Sequence, residues 1–166
     1  MGFSCALCGE THAGETRDIR LGLPEPIFRL GEVERGNLAW VGDDSAVLRG
    51  PNGERFFVRA LLELPIEGDE GYFGYGTWIE VSGSDFAALG ELWDDDEGWR
   101  SDPFPGALAN ELSPYAATEG LPVRIQLRDV QLLPLVELDD GEHELVRAQQ
   151  RGISVHRVHE LATTVG

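Results

Sequence analysis

Cys5-Ala6-Leu7-Cys8-Gly9-Glu10-Thr11-His12 is the stretch of this chain whose residue types and spacing specify a chemistry. Thiols separated by two residues can turn inward on one tight loop, and Gly9 allows the left-handed backbone that such a knuckle needs. Soft thiolates with an imidazole suit zinc, which accepts tetrahedral geometry without a d-electron preference. The spacing therefore predicts a zinc knuckle with Cys5 and Cys8 as ligands and His12 as the third. The 166 residues hold no further cysteine, so a fourth ligand has to be His143, His156, His159, a carboxylate such as Asp18, or water. Water would leave an open, catalytic position, whereas a protein ligand would close a structural one. Two other readings of the pair stay open. One is a redox couple, which normally opens a helix that Gly9 and the polar residues after it do not continue; the other is two ordinary reduced thiols.

Other chemistry is mostly excluded. All thirteen basic residues are arginines, which removes Schiff-base chemistry and the phosphate-binding lysine of a P-loop. No G-x-S-x-G, H-E-x-x-H or H-x-E with P-C-x-x-C is present, and carboxylates are too abundant for any pair of them to be diagnostic. Asp94-Asp95-Asp96-Glu97-Gly98 lacks the register of a calcium-binding EF-hand loop and reads as a solvated acidic loop. His156 and His159, three apart, share a helix face but lie outside the usual metal-ligand spacing. Arg59 and Arg124 alternate with apolar residues, which suits a solvated or salt-bridged sheet face, or an anion site upon it.

The elements that must position these residues follow from pattern. Thr16 to Leu23 reads as a short extended segment, and Glu32 to Arg35 as a short helix ending at Gly36. Ser45 to Arg49 and Arg55 to Ile66 flank Gly50-Pro51-Asn52-Gly53 as a β-hairpin, with Phe56, Val58, Ala60, Leu62 and Leu64 as its core face. Tyr72 to Ser82 predicts a third strand whose glycines mark a bulge or a close backbone approach. Ser82 or Ser84 can cap a helix carrying Phe86, Leu89 and Trp93. Phe104 to Leu112 has no clear pattern. Leu121 to Arg128 alternates as a half-buried strand, and Val130 to Leu138 reads as its neighbour, with Pro134 pointing to a sheet edge. Two helices close the chain, Glu142 to Gln150, stopped by Gly152, and Val155 to about Thr163, capped by Ser154.

The expected fold is α+β: a single domain over residues 1–166 with a mainly antiparallel sheet, packed helices and the N-terminal knuckle loop. Residues 1–15 form the knuckle segment, 45–138 the sheet-rich core and 142–164 the closing helices. Thirty acidic residues give a formal charge of −17, which repels phosphate backbones and anionic lipid and so argues against nucleic-acid and membrane partners. No leader pattern and no long apolar run occurs, so a cytoplasmic location is expected, where a close cysteine pair is more often a metal or redox site than a disulfide.

Several pieces together resemble a bacterial family known as Domain of Unknown Function 2199. They are Cys5-x-x-Cys8-Gly9-x-x-His12, Asp18-Ile19, Glu34-Arg35, Phe56-Phe57-Val58-Arg59, Glu63-x-Pro65, Phe73 to Ser82 with Trp78, Trp93, Leu108-x-Asn110, Pro134, His143-x-Leu145 and Gln149 to Ile153. The resemblance implies no activity. It does imply that His143 matches a histidine of the family and is the first place to look for a distant ligand. It also implies a further cysteine at Ser45, where this chain departs from the pattern. The leading expectation is an uncharacterised small bacterial protein serving as a zinc-binding structural or interaction module, and the absence of catalytic signatures leans against an enzyme. Its rivals are a metal-dependent hydrolase with an open zinc site and an acidic inhibitor or immunity-type protein that captures a basic partner. Self-association is the other partner expected.

Overall fold

The computed structural model describes residues 3–4, 11–12 and 18–163. β1 (Phe3–Ser4) and β2 (Thr11–His12) form a two-stranded antiparallel ribbon that pairs Phe3 with His12. The remaining strands make one eight-stranded sheet: β3 (Asp18–Arg20), β4 (Ala39–Val41), β5 (Ser45–Gly50), β6 (Gly53–Pro65), β7 (Tyr72–Val81), β8 (Phe104–Leu108), β9 (Pro122–Gln126) and β10 (Leu135–Leu138).

The long β6–β7 hairpin organises this sheet because each of its strands changes partner along its outer edge. β6 pairs with β5 from Gly53 to Val58 and then, in parallel, with β10 at Leu61 and Leu62. β7 pairs in parallel with β3 from Gly74 to Gly76 and then with β8 at Ile79 and Glu80. With β8–β9 and β9–β10 antiparallel, the ring β6-β7-β8-β9-β10 closes on itself. The fold is therefore α+β in a single domain, as expected. Its sheet is a closed mixed barrel with β3 and the β5–β4 pair extending outside the ring, a feature the expected mainly antiparallel sheet did not contain. Pro134 does not mark an edge. It immediately precedes β10, is buried, and its carbonyl accepts the Leu61 N–H as the ring closes.

Phe56, Val58, Ala60, Leu62 and Leu64 do form the core face of β6, joined by Phe73, Tyr75 and Ile79 of β7. Leu89 of α3 (Gly83–Leu92) and Leu145 and Val146 of α4 (Glu144–Arg151) complete that core. The opposite face of β6 is also covered. Phe57, Trp78, Ala46 and Leu48 pack with Ile27 of α1 (Glu25–Phe28) in a second, smaller core. α2 (Glu32–Leu38) runs through Gly36 rather than stopping there and buries none of its residues. α5 (Val155–Thr163) ends the chain, with Ser154 Oγ accepting the Arg157 N–H at 3.0 Å. At Gly74 a Cβ would lie 2.9 Å from Leu61 and 3.0 Å from Asp18, so the strand glycine does mark a close approach. Gly152 adopts φ 87° to end α4 and sits where a Cβ would meet the Pro65 carbonyl at 3.0 Å.

Candidate functional site

Cys5 and Cys8 lie outside the described residues, and so does the knuckle loop between β1 and β2. His12 has a described backbone, opposite Phe3. His143 sits far along the chain at the start of α4, where it is the N-cap. Its Nδ1 accepts the Leu145 N–H at 3.0 Å, and its Nε2 lies 2.7 Å from the Ala116 carbonyl. That pairing assigns the ring proton to Nε2 and occupies both nitrogens. His156 and His159 neighbour each other on α5 with ring centroids 6.3 Å apart, and His156 lies 3.8 Å from Glu160. Among the described residues no group of three or more His, Cys, Asp or Glu side chains could hold a metal ion. Asp18, on β3, is exposed.

Arg59 differs most from its expectation. It is only 3% exposed rather than solvated. Its Nε donates to the Asp43 carbonyl at 3.0 Å, and Nη1 donates to the carbonyls of Leu21 at 2.9 Å and Gly76 at 3.3 Å. The guanidinium stacks on Trp78 at 4.4 Å, and burial lowers its pKa from the ordinary arginine value, with Arg20 acting the same way and Asp44 and Asp43 opposing. It is a staple between the barrel and two flanking segments. Arg124, by contrast, is solvated and lies 3.3 Å from Asp139.

A pocket on the described surface combines two aromatic side chains with acidic residues. Asp44, Ser45, Val58, Phe86, Leu89, Gly90, Trp93 and Asp94 line a cavity of about 310 Å³. Sequence builds it simply. Ser82 Oγ accepts the Asp85 N–H at 3.1 Å and starts α3, whose Phe86, Leu89 and Trp93 then recur on one face. That face lies over Phe56 and Val58 of β6, with Phe86 and Phe56 rings 5.0 Å apart. Ser45 stands opposite Val58 in the β5–β6 ladder and so points to the same side. α3 stops short of β5, and Gly90, where a Cβ would meet nothing within 4 Å, leaves the wall open. Asp44 is half-buried, its carbonyl takes the Arg59 N–H, and its carboxylate forms no ion pair among the described residues. Ser45, where the family resemblance led us to expect a thiol, is therefore a pocket residue.

A larger cavity of about 570 Å³, lined by Glu63, Tyr72, Gln126, Glu137, Gln149 and neighbours, opens where β6 and β10 part. Gln149 there is occupied structurally, its Oε1 taking the Leu138 N–H at 2.7 Å and its Nε2 donating to the Val136 carbonyl at 2.9 Å. Pattern reading missed the aromatic pocket because Asp44 sits in a turn and Trp93 at a helix end, and no local spacing links them. The signal available was the resemblance itself, which includes Trp93 and the Ser45 position.

No helix among the described residues is long and apolar enough to cross a membrane. No curated protein and no solved structure matches the chain. A family model does match, over residues 4–153, that of uncharacterized proteins conserved in bacteria known as DUF2199, and the chain belongs to this family.

Proposed function

We propose that this protein is a binding module for a basic partner, with the pocket between α3 and β5 receiving a guanidinium or ammonium group. The observation that carries this reading is the gathering of two acidic residues, Asp44 and Asp94, with Phe86 and Trp93 around one cavity, neither of the two forming an ion pair among the described residues. A partly desolvated carboxylate attracts a cation more strongly than one in open water, and aromatic walls add attraction for the same charge while covering its alkyl stem. Asp94 at the rim and the net charge of −17 act in the same direction. The test is titration with n-butylguanidinium, read by NMR at the Trp93 indole N–H and the Asp44 and Ser45 amides. The expected Kd is on the order of 1 mM, weakened about tenfold by Asp44→Asn. Gly90→Leu should abolish binding by filling the cavity while favouring the helix. Binding unchanged in both variants, or no shift at these groups, overturns the reading.

A second reading concerns the N-terminus, where we propose a structural zinc knuckle built on Cys5 and Cys8. What supports it is the antiparallel pairing of Phe3–Ser4 with Thr11–His12, which brings together the backbone on either side of the segment carrying both thiols. His143 has no free nitrogen lone pair while it caps α4, so this reading draws its remaining ligands from His12 and elsewhere. Protein purified without added metal is expected to carry about one zinc per chain, and Cys8→Ser to lose it. Two freely titrating thiols in metal-free, folded protein would overturn it.

A further inference from the structure

We infer that the outer edge of β4 is a strand-addition site for an extended, basic segment of a partner protein. The inference rests on the basic-partner reading above but uses a different surface. Along β5, the Arg59 N–H bonds the Asp44 carbonyl, so the even-numbered residues of β5 exchange hydrogen bonds with β6. The odd-numbered ones therefore face β4, in agreement with the Gly42 N–H on the Ser45 carbonyl at 2.8 Å and the Trp40–Val47 pairing. It follows that Val41 directs both its N–H and its carbonyl away from the sheet, and Ala39 its carbonyl. The Ala39 N–H is already taken by the Arg35 carbonyl at the end of α2. β4 is the last strand of its side of the sheet, and among the described residues no other strand covers it.

Edge strands normally carry features that discourage pairing. β4 is short, with three residues, and carboxylates flank it, but the surface around it is apolar. Of eight large apolar side chains exposed among the described residues, five fall within residues 28–41: Phe28, Val33, Leu38, Trp40 and Val41. Trp40, 58% exposed, lies on the sheet face that leads through Val47 toward Ser45 and the aromatic pocket, whereas Val41 lies on the opposite face. A strand laid along this edge would set its alternate side chains against apolar surface on both faces, which is the geometry of strand addition.

Charge selects the occupant. Glu32 and Glu34 precede β4, Asp43 and Asp44 follow it, and none of the four forms an ion pair among the described residues. Arg29 is held by Glu119 at 2.7 Å, and Arg35 is spent on the carbonyls of Ile27, Phe28 and Leu30. A second copy of this chain would bring the same four carboxylates and a further −17 against the edge, so the occupant is a basic segment of another protein rather than a dimer mate.

The test uses the full chain and a short synthetic peptide of alternating arginine and valine. Wild-type protein is expected to bind the peptide with protection of the Val41 amide from hydrogen exchange. Val41→Pro, which removes that outward N–H without touching the β4–β5 bonds, should weaken binding at least tenfold. An unprotected Val41 amide in the peptide complex, equal affinity of Val41→Pro, no peptide binding at all, or dimerisation through this edge without peptide would each overturn the inference. The Val41 exchange measurement stands on wild-type protein, so it survives if Val41→Pro fails to fold. Butylguanidinium reports the pocket alone and Val41 protection reports the edge alone, so the two readings fail separately.

Discussion

Arg59 sits on a strand where period-two alternation points its side chain away from the main core, yet it is buried against three backbone carbonyls and an indole ring. A guanidinium tolerates this because its planar fork distributes donors among several acceptors and its face stacks on an aromatic ring. The alternation itself was legible; its consequence was not, because nothing local announces that Ile27 and the strap before it cover the second face of β6. Replacing Arg59 by methionine removes donors from three carbonyls and should destabilise the fold by about 3 kcal/mol, and lysine should recover only part of this because an ammonium cannot match the fork. Chemical denaturation checks both. His143 has a similar history. A backbone-bonding role was available from its position at a helix start, while its first place among the candidate ligands came from likeness to a family, and the ring now serves backbone on both sides.

At the scale of elements, α4 does more than cover the barrel. Where β6 turns away from β10 after Leu62, the freed edge of β10 is satisfied by a side chain instead of a strand, with the Gln149 amide bonding Val136 and Leu138. Gln149→Ala strands a buried N–H and a carbonyl together, and thermal unfolding should report a loss of about 1–3 kcal/mol. The hairpin around Gly50–Gly53, the capped α3 and the two closing helices were legible because each is set by local signals: turn residues, a serine cap, apolar periodicity, a glycine stop. β8 was not, since Phe104 to Leu108 contains Pro105 and Gly106 and meets its neighbours β7 and β9 across long connections rather than tight turns. Closure of the ring was invisible for the same reason. It depends on two residue pairs, Leu61 with Leu135 and Leu62 with Val136, in a parallel contact that no hairpin predicts.

For the molecule as a whole, the pieces that carry the family likeness mostly answer architectural questions. Arg35 caps α1, Arg59 staples, and Asn110 Oδ1 takes the Thr77 hydroxyl and Trp78 N–H while its Nδ2 donates to Leu23 and Glu25. Gln149 seals β10, and Gly152 lets α4 end against Pro65. A resemblance resting on such residues identifies a fold and says little about what it binds. Trp93 and the Ser45 position line the pocket beside α3, as Glu63 and Gln149 line the larger cavity. The partner switching of β6 has a kinetic side as well. Its pairing with β7 spans a short turn, whereas its pairing with β10 joins segments more than seventy residues apart and requires a large loop to close. The hairpin is thus suited to form early and the ring to shut late. Until the last third of the chain is in place, Leu61 and Leu62 present an unpaired apolar edge, so the interval between synthesis and closure is when this protein is most exposed to misassociation.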